Sequence, residues 1–285
     1  MKLIKKVNIL IVGLGLLGGS YAKGLKKLGF QVNAITKEQS SIDYALKNGI
    51  IDKGTTEIYA NLINEADLVI FALYPHIFID WIAENQQYFK SGAILTDVTG
   101  VKGCIVDKIQ GILREDVEFI AAHPMAGKEV SGVENSDDSI FKEANYIVVP
   151  TEKNREEAIE LCKNLGEILG FKKVVTLSVE EHDRMIAFLS QLTHCIAVSL
   201  MCCNNTEGFE KYTGDSFRDL TRIANINDEM WSELFLNNKE VLLSEMDRFK
   251  ASFNELYQKI KSDDRDGMRE MMKTSTTRRK LFDKI

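Results

Sequence analysis

The sequence predicts an α/β fold in two parts: a doubly wound parallel sheet over residues 1–177, followed by an all-helical domain over 178–285. Three observations carry this expectation. Four short runs rich in Val, Ile and Leu (7–12, 32–35, 68–73 and 93–96) alternate with helix-patterned stretches, the pattern of buried parallel strands joined by right-handed crossovers. A glycine-rich segment, Gly13 to Gly18, lies between the first of these runs and the helical pattern that follows. After Leu177 strand-like runs cease, and the remainder reads as helix and polar turns.

Taken in order, the run 7–12 predicts the first strand and 16–28 the first helix. The run 32–35 predicts the second strand and 41–48 the next helix, and 68–73 and 93–96 continue the sheet. Three later runs, 118–121, 146–149 and 173–177, are candidates to extend it. Ser178 followed by Glu181 is a capping-box start. The helix it opens is predicted to run through Met185 to Cys203 with apolar residues on nearly every face, so it needs cover on all sides. Ser190, Gln191, Thr193 and His194 interrupt that run short of the ~20 apolar residues of a membrane span, which favours a buried helix in a dimeric helical domain and argues against a membrane.

Length and composition bound the class. A chain of 285 residues with 45% hydrophobic and 27% charged residues is long enough for two ordinary domains. A net charge of -6 argues against a nucleic-acid partner while leaving room for a small anionic ligand. The five cysteines are odd in number and lack metal-ligand spacing, so neither a disulfide framework nor a zinc site is expected, and a reducing, cytoplasmic setting fits. Lys2, Lys5 and Lys6 before an apolar run imitate a signal peptide. Cleavage near Ser20 would destroy the glycine-rich turn, so that reading is rejected.

The turn itself reads Gly13-Leu14-Gly15-Leu16-Leu17-Gly18, a Rossmann-type dinucleotide fingerprint when a strand precedes it and a helix follows. Gly13 would make the tight turn, Gly15 would admit the pyrophosphate, Gly18 would pack helix on strand, and the N–H groups of Leu16 and Leu17 would face the phosphates. The place usually held by an acid that binds the adenosine ribose is occupied by Thr36-Lys37. A hydroxyl and an ammonium suit a 2′-phosphate, so the cofactor reading is NADP or NAD with a lean to NADP, Glu38 keeping NAD open. Pro75 and Asp97, just after the third and fourth runs, complete the expected cofactor set.

A dinucleotide fold does not name a substrate. Four further segments are more specific: Thr96-Asp97-Val98-Thr99-Gly100-Val101-Lys102, His123-Pro124-Met125-Ala126-Gly127, Ser190-Gln191-Leu192-Thr193-His194, and Phe217-Arg218-Asp219-Leu220-Thr221-Arg222-Ile223-Ala224, with Trp231 nine residues after Arg222. In this order, behind the GLGLLGGS opening, they resemble the prephenate/arogenate dehydrogenase family from Val7 to about Lys239. The resemblance implies NAD(P)-dependent oxidative decarboxylation of prephenate to 4-hydroxyphenylpyruvate in tyrosine biosynthesis, or of the amino analogue arogenate. It also implies that His123 is the catalytic histidine and that Arg222 binds a substrate carboxylate. His194 and Ser190 would lie beside the substrate, Glu129 and Asp219 at the pocket mouth, and Trp231 in its wall.

Two departures stand out. Many members read Asp-x-Gly-Ser-x-Lys where this chain has Thr99-Gly100, which leaves the serine's role open and makes Thr99 the candidate to supply the hydroxyl. Members often read Ser-His-x-Pro-His where this chain has Gln191 and Thr193, the outer His194 being retained. On the same resemblance, neither an ACT domain nor a fused chorismate mutase is expected.

The residue chemistry agrees with the implied activity. A neutral imidazole, with an ordinary pKa of ~6.5, suits a base that takes a hydroxyl proton near neutral pH. A guanidinium fork matches a carboxylate bidentately. Plainer readings exist: a His-Pro turn for His123, expected in a loop after the run 118–121; an ion-pair cluster of Arg222 with Asp219 and Arg218; and a core histidine bonded to Ser190 for His194. Two rival functions remain at this level, a dinucleotide-binding regulator without chemistry and another β-hydroxyacid dehydrogenase.

Overall fold

The computed structural model describes residues 7–128 and 130–282. Strand β1 (Asn8–Val12) leads through the glycine turn into helix α1 (Leu16–Lys27), then β2 (Gln31–Ile35), α2 (Gln39–Lys47), β3 (Lys53–Thr55), α3 (Ala60–Asn64), β4 (Leu68–Phe71), α4 (Pro75–Asn85), β5 (Ile94–Asp97), α5 (Val106–Ile112) and β6 (Glu118–Phe119). These six strands pair in the order β3-β2-β1-β4-β5-β6, all parallel. The order reverses between β1 and β4, the switch point at which α/β sheets open a cleft beyond their strand ends.

Both faces of this sheet are covered, and the strand residues divide by alternation. Ile9, Ile11, Val32 and Ile70 belong to the apolar layer that contains Tyr21 and Leu25 of α1, whereas Leu10, Val12, Val69 and Phe71 belong to the layer that contains Phe78 and Ile82 of α4. Burial on both sides is why these strands are written as continuous apolar runs.

The later runs depart from the sequence expectation. Only 118–119 joins the main sheet; β7 (Ala121–Pro124), β8 (Asn145–Val149) and β9 (Lys173–Thr176) form a second, three-stranded sheet, with α6 (Glu156–Ile168) between β8 and β9. Strand β8 runs antiparallel to β7 and parallel to β9. His123 therefore stands on a strand, paired opposite Ile147, and not in a loop. The pairing pins its backbone from one side. Strand β3, too short for an apolar run, is an addition at the sheet edge.

After β9 the regular elements among the described residues are helices: α7 (Val179–Ile186), α8 (Leu192–Cys202), α9 (Asp215–Thr221), α10 (Asp228–Asn237), α11 (Lys239–Lys261) and α12 (Arg265–Arg279), with short 3-10 turns between some of them. The capping box forms as its sequence implies, Ser178 accepting from Glu181 N–H at 3.1 Å and Glu181 accepting from Ser178 N–H at 2.9 Å. The expected single helix is interrupted, however, by a π turn at Ala187–Gln191 that separates α7 from α8. Such turns shift the helical register and cluster at functional sites. By length and composition the stretch 179–202 would also suffice to cross a membrane. Here it carries polar anchors: Asp183 binds backbone N–H groups of the first domain, and Gln191 Nε2 donates to Leu234 O at 2.8 Å.

Candidate active site

The glycine turn has the shape a dinucleotide needs. Gly13 has φ +94°, and a Cβ there would lie 2.3 Å from Ala72 O; at Gly18 it would lie 2.0 Å from Gly13 O. Both positions therefore exclude a side chain. A Cβ on Gly15 would meet nothing within 4 Å, so the backbone of this residue borders open space at the start of α1. Gly15 caps that helix with no side chain, and its first turn, beginning with Leu16 and Leu17, holds no acid. Unpaired N–H groups and the positive end of the helix dipole are left for an anion. Thr36 Oγ1 accepts from Leu14 N–H at 3.3 Å, fastening the end of β2 to the turn. Lys37 and Glu38 are exposed beside it, and Pro75 begins α4. These residues fit a bound dinucleotide.

Asp97, the last of the expected cofactor residues, has internal partners. It is fully buried and engaged inward: Oδ2 accepts from Lys102 Nζ at 2.6 Å and from Thr99 N–H at 3.0 Å, and Oδ1 accepts from Ala122 N–H at 3.0 Å. Lys102, also fully buried, donates to Ala122 O as well. Thr99 is engaged in the same way: its hydroxyl donates to Asp97 and its side chain is buried. The motif Asp97 to Lys102 is thus an internal ion-pair cluster behind β7, where a desolvated charge is tolerated because its partner and hydrogen bonds are in place.

That cluster sits behind His123, and a second one orients it. His123 Nδ1 lies 2.9 Å from His182 Nε2, and His182 Nδ1 lies 2.7 Å from Asp183 Oδ1. Asp183 also accepts from the N–H of Lys102 at 2.8 Å and of Gly103 at 2.7 Å. A carboxylate with these donors only accepts, so His182 Nδ1 carries the proton and its Nε2 is an acceptor. His123 must then donate from Nδ1, which leaves its Nε2 as a bare lone pair. Burial, reinforced by His182 and Lys102, holds the His123 imidazole well below its ordinary value of 6.5, so it stays neutral. Burial also lowers His182, against the raising effect of Asp183. Burial would raise the Asp183 carboxyl, but the bonds from His182, Lys102 and Gly103 outweigh it and leave it lowered.

His123 Nε2 faces Gly100: a Cβ built there would lie 4.0 Å from Nε2 and 3.7 Å from Leu234 of α10. The absent side chain leaves room at the lone pair. Further round, His194 stacks on Trp231 with ring centroids 3.7 Å apart. His194 Nδ1 donates to Ser190 O at 2.8 Å, one turn back and inside the π turn, so the plainer reading of this histidine is present along with its place beside Trp231. Arg222 opens a short 3-10 turn, Arg222–Ala224, that packs on α8. Of the alternative cluster, Arg218 pairs with Asp215. Asp219 is exposed on α9, and Glu129 lies outside the described residues. Among the described residues no group of three or more His, Cys, Asp or Glu is placed to hold a metal.

His182 and Asp183 were missed from sequence. A signal was available: the chain has four histidines, and this one, beside an aspartate, falls in the first two turns of a capped helix.

A dinucleotide cleft at the switch point, with an oriented neutral imidazole between it and a helical domain, defines an NAD(P)-dependent oxidoreductase. Comparison with known proteins identifies which kind. The family description "Prephenate dehydrogenase, nucleotide-binding domain" matches residues 21–175, and "Prephenate dehydrogenase, dimerization domain" matches 178–274. The chain belongs to the prephenate dehydrogenase family. It is 30% identical over 280 residues to prephenate dehydrogenase of Bacillus subtilis, covering 95% of this chain and 74% of that one. It is 29% identical over 278 residues to cyclohexadienyl dehydrogenase of Zymomonas mobilis, covering 94% and 93%. The crystal structure of A. aeolicus prephenate dehydrogenase with hydroxyphenyl propionate and NAD+ superposes with a TM-score of 0.90 at 32% identity, covering 99% of this chain and all of that one.

Proposed function

We propose that this chain oxidises and decarboxylates prephenate to 4-hydroxyphenylpyruvate in tyrosine biosynthesis, with His123 as the base. The observation that carries the assignment is the chain Asp183, His182, His123, which presents a neutral Nε2 lone pair beside the space at Gly100. The substrate bears a hydroxyl and a hydrogen on one ring carbon. His123 Nε2 takes the hydroxyl proton, the C–H pair departs as hydride, and the C–O bond becomes a carbonyl. The ring carboxylate then leaves as carbon dioxide, its bonding pair restoring the aromatic ring and turning the carbonyl into a phenolate, which takes the proton back from His123. When bound, the nicotinamide supplies the hydride acceptor. Gly13, Gly15, Leu16, Leu17, Gly18, Thr36, Lys37 and Pro75 would hold the dinucleotide. Arg222 clamps a carboxylate, Trp231 and His194 wall the site with Ser190 behind them, and Asp219 stands at its mouth; the resemblance gives Glu129, outside the described residues, the same part.

The same reading assigns NADP at least equal standing with NAD, since the end of β2 offers Thr36 and exposed Lys37 in place of an acid. It assigns residues 1–177 to the cofactor and 178–285 to substrate and association, in the cytoplasm. The partner is a second copy of the chain. Helices α9, α10 and α12 bury no residue, α11 buries only Leu242 and Glu245, and Leu236, Phe253, Tyr257 and Ile260 are more than half exposed. A helical half with so little core of its own needs cover.

The test is initial-rate formation of reduced cofactor with prephenate and arogenate, each with NAD and NADP. Prephenate giving the higher kcat/KM supports the reading; arogenate giving the higher value replaces the substrate, and no turnover with either overturns the dehydrogenase assignment. A strong preference for NAD removes the NADP assignment.

A further inference from the structure

Helix α10 of the helical domain reaches back to the cofactor side of the first domain through one side chain. Glu233 Oε1 accepts from the backbone N–H of His76 at 2.9 Å, and Glu233 Oε2 lies 2.8 Å from His76 Nδ1. His76 is in the first turn of α4, immediately after Pro75, and the Tyr74 cap makes no side-chain bond there. Glu233 therefore supplies from another domain the anionic cap that α4 lacks, at the positive end of the helix dipole. The segment before that helix abuts the glycine turn, Ala72 O being the atom a side chain on Gly13 would strike.

The neighbours of Glu233 on α10 face the substrate side. Trp231 stacks on His194, Leu234 borders Gly100, and Leu234 O is held by Gln191. One rigid helix thus touches the wall of the site, the space at His123 and the loop beside the cofactor turn. The Glu233–His76 pair is also open to solvent on one side, with the His76 side chain 57% exposed and that of Glu233 20%. Exposed pairs of this kind are weak enough to break and reform during turnover. A buried link would act as a permanent staple.

We infer that Glu233 and His76 are positioning residues that latch α10 onto the cofactor domain, and so hold the substrate wall at the distance hydride transfer requires. The inference rests on the dehydrogenase reading above. Loosening the latch leaves the cofactor turn and the His123 chain intact, but lets Trp231 and Leu234 drift together.

Three variants test this: Glu233→Ala, Glu233→Gln, which keeps an acceptor for the His76 N–H, and His76→Ala. In Glu233→Ala, kcat/KM for the substrate falls about three- to thirtyfold, while dinucleotide affinity of the free protein stays within twofold. The primary isotope effect with substrate deuterated at the hydroxyl-bearing carbon increases, because hydride transfer becomes slower relative to the other steps. Glu233→Gln recovers most of the loss, and His76→Ala shows a smaller effect that does not add to it. A Glu233→Ala variant with native kcat/KM and isotope effect overturns the latch, and so does a Gln variant as impaired as the Ala variant. If Glu233→Ala does not fold, native values in His76→Ala overturn it. Hydrogen exchange of 228–237 separates this result from failure of the substrate reading: faster exchange in Glu233→Ala than in Glu233→Gln supports the latch even if prephenate is not turned over, and equal exchange overturns it.

Discussion

Replacing His182 by Phe fills the same fully buried space without a polar atom, so the change removes the relay and little else. In the native protein His182 Nε2 accepts the Nδ1 proton of His123 at 2.9 Å and thereby selects the tautomer whose Nε2 is free. Without that acceptor, a proton on Nδ1 is a buried donor with no partner, which costs about 1–3 kcal/mol. The proton moves to Nε2, and the productive tautomer becomes the minor form by about five- to 150-fold, so kcat falls by that factor while the substrate KM changes little. The pH profile gives a second reading. His123 is held below 6.5 by burial first, with the Lys102 charge adding to it. The active form is the neutral one, so the acidic limb of kcat/KM lies below pH 6.5 in the native protein. The assay is reduced-cofactor absorbance from pH 5 to 9, with chemical denaturation as a control for folding. A kcat within twofold of native refutes the relay.

Four other outcomes are expected. His123→Asn lowers turnover by about a hundredfold or more with dinucleotide binding preserved, as loss of a general base requires; equilibrium binding beside steady-state rates checks both halves. Arg222→Ala raises the substrate KM more than it lowers kcat, because a carboxylate clamp acts in ground and transition states alike, and a normal KM returns Arg222 to a surface role. Gly100→Ser places a hydroxyl within reach of His123 Nε2, where a Cβ already fits 4.0 Å away; kcat is raised or held within about threefold, whereas a loss above tenfold means the space is needed by substrate. Light scattering at micromolar concentration gives the mass of a dimer, and Phe253→Glu or Tyr257→Glu on exposed α11 shifts it toward monomer.

What was legible in the sequence follows from local physics. Apolar runs with helical patterns between them can form only a sheet covered on both faces, and β1, β2, β4 and β5 lie within about two residues of the runs that announce them. The turn from Gly13 to Gly18 needs φ +94° at one glycine and no side chain at another, demands that glycine alone meets. Ser178 and Glu181 cap a helix through atoms three residues apart. Tertiary structure decided what depends on partners distant in the chain. Phe119 and Ala121 are nearly adjacent in sequence yet enter different sheets, because β7 finds β8 from more than twenty residues away. Asp97 and Thr99, polar residues at a strand end, look like cleft residues until Lys102 and the Ala122 backbone claim them inward. His182 joins His123 across 59 positions, and Asp183 joins Lys102 across 81. Periodicity and turn chemistry report the backbone within a few residues; which lone pair is left free on a histidine is set by whichever group the fold brings to its other nitrogen.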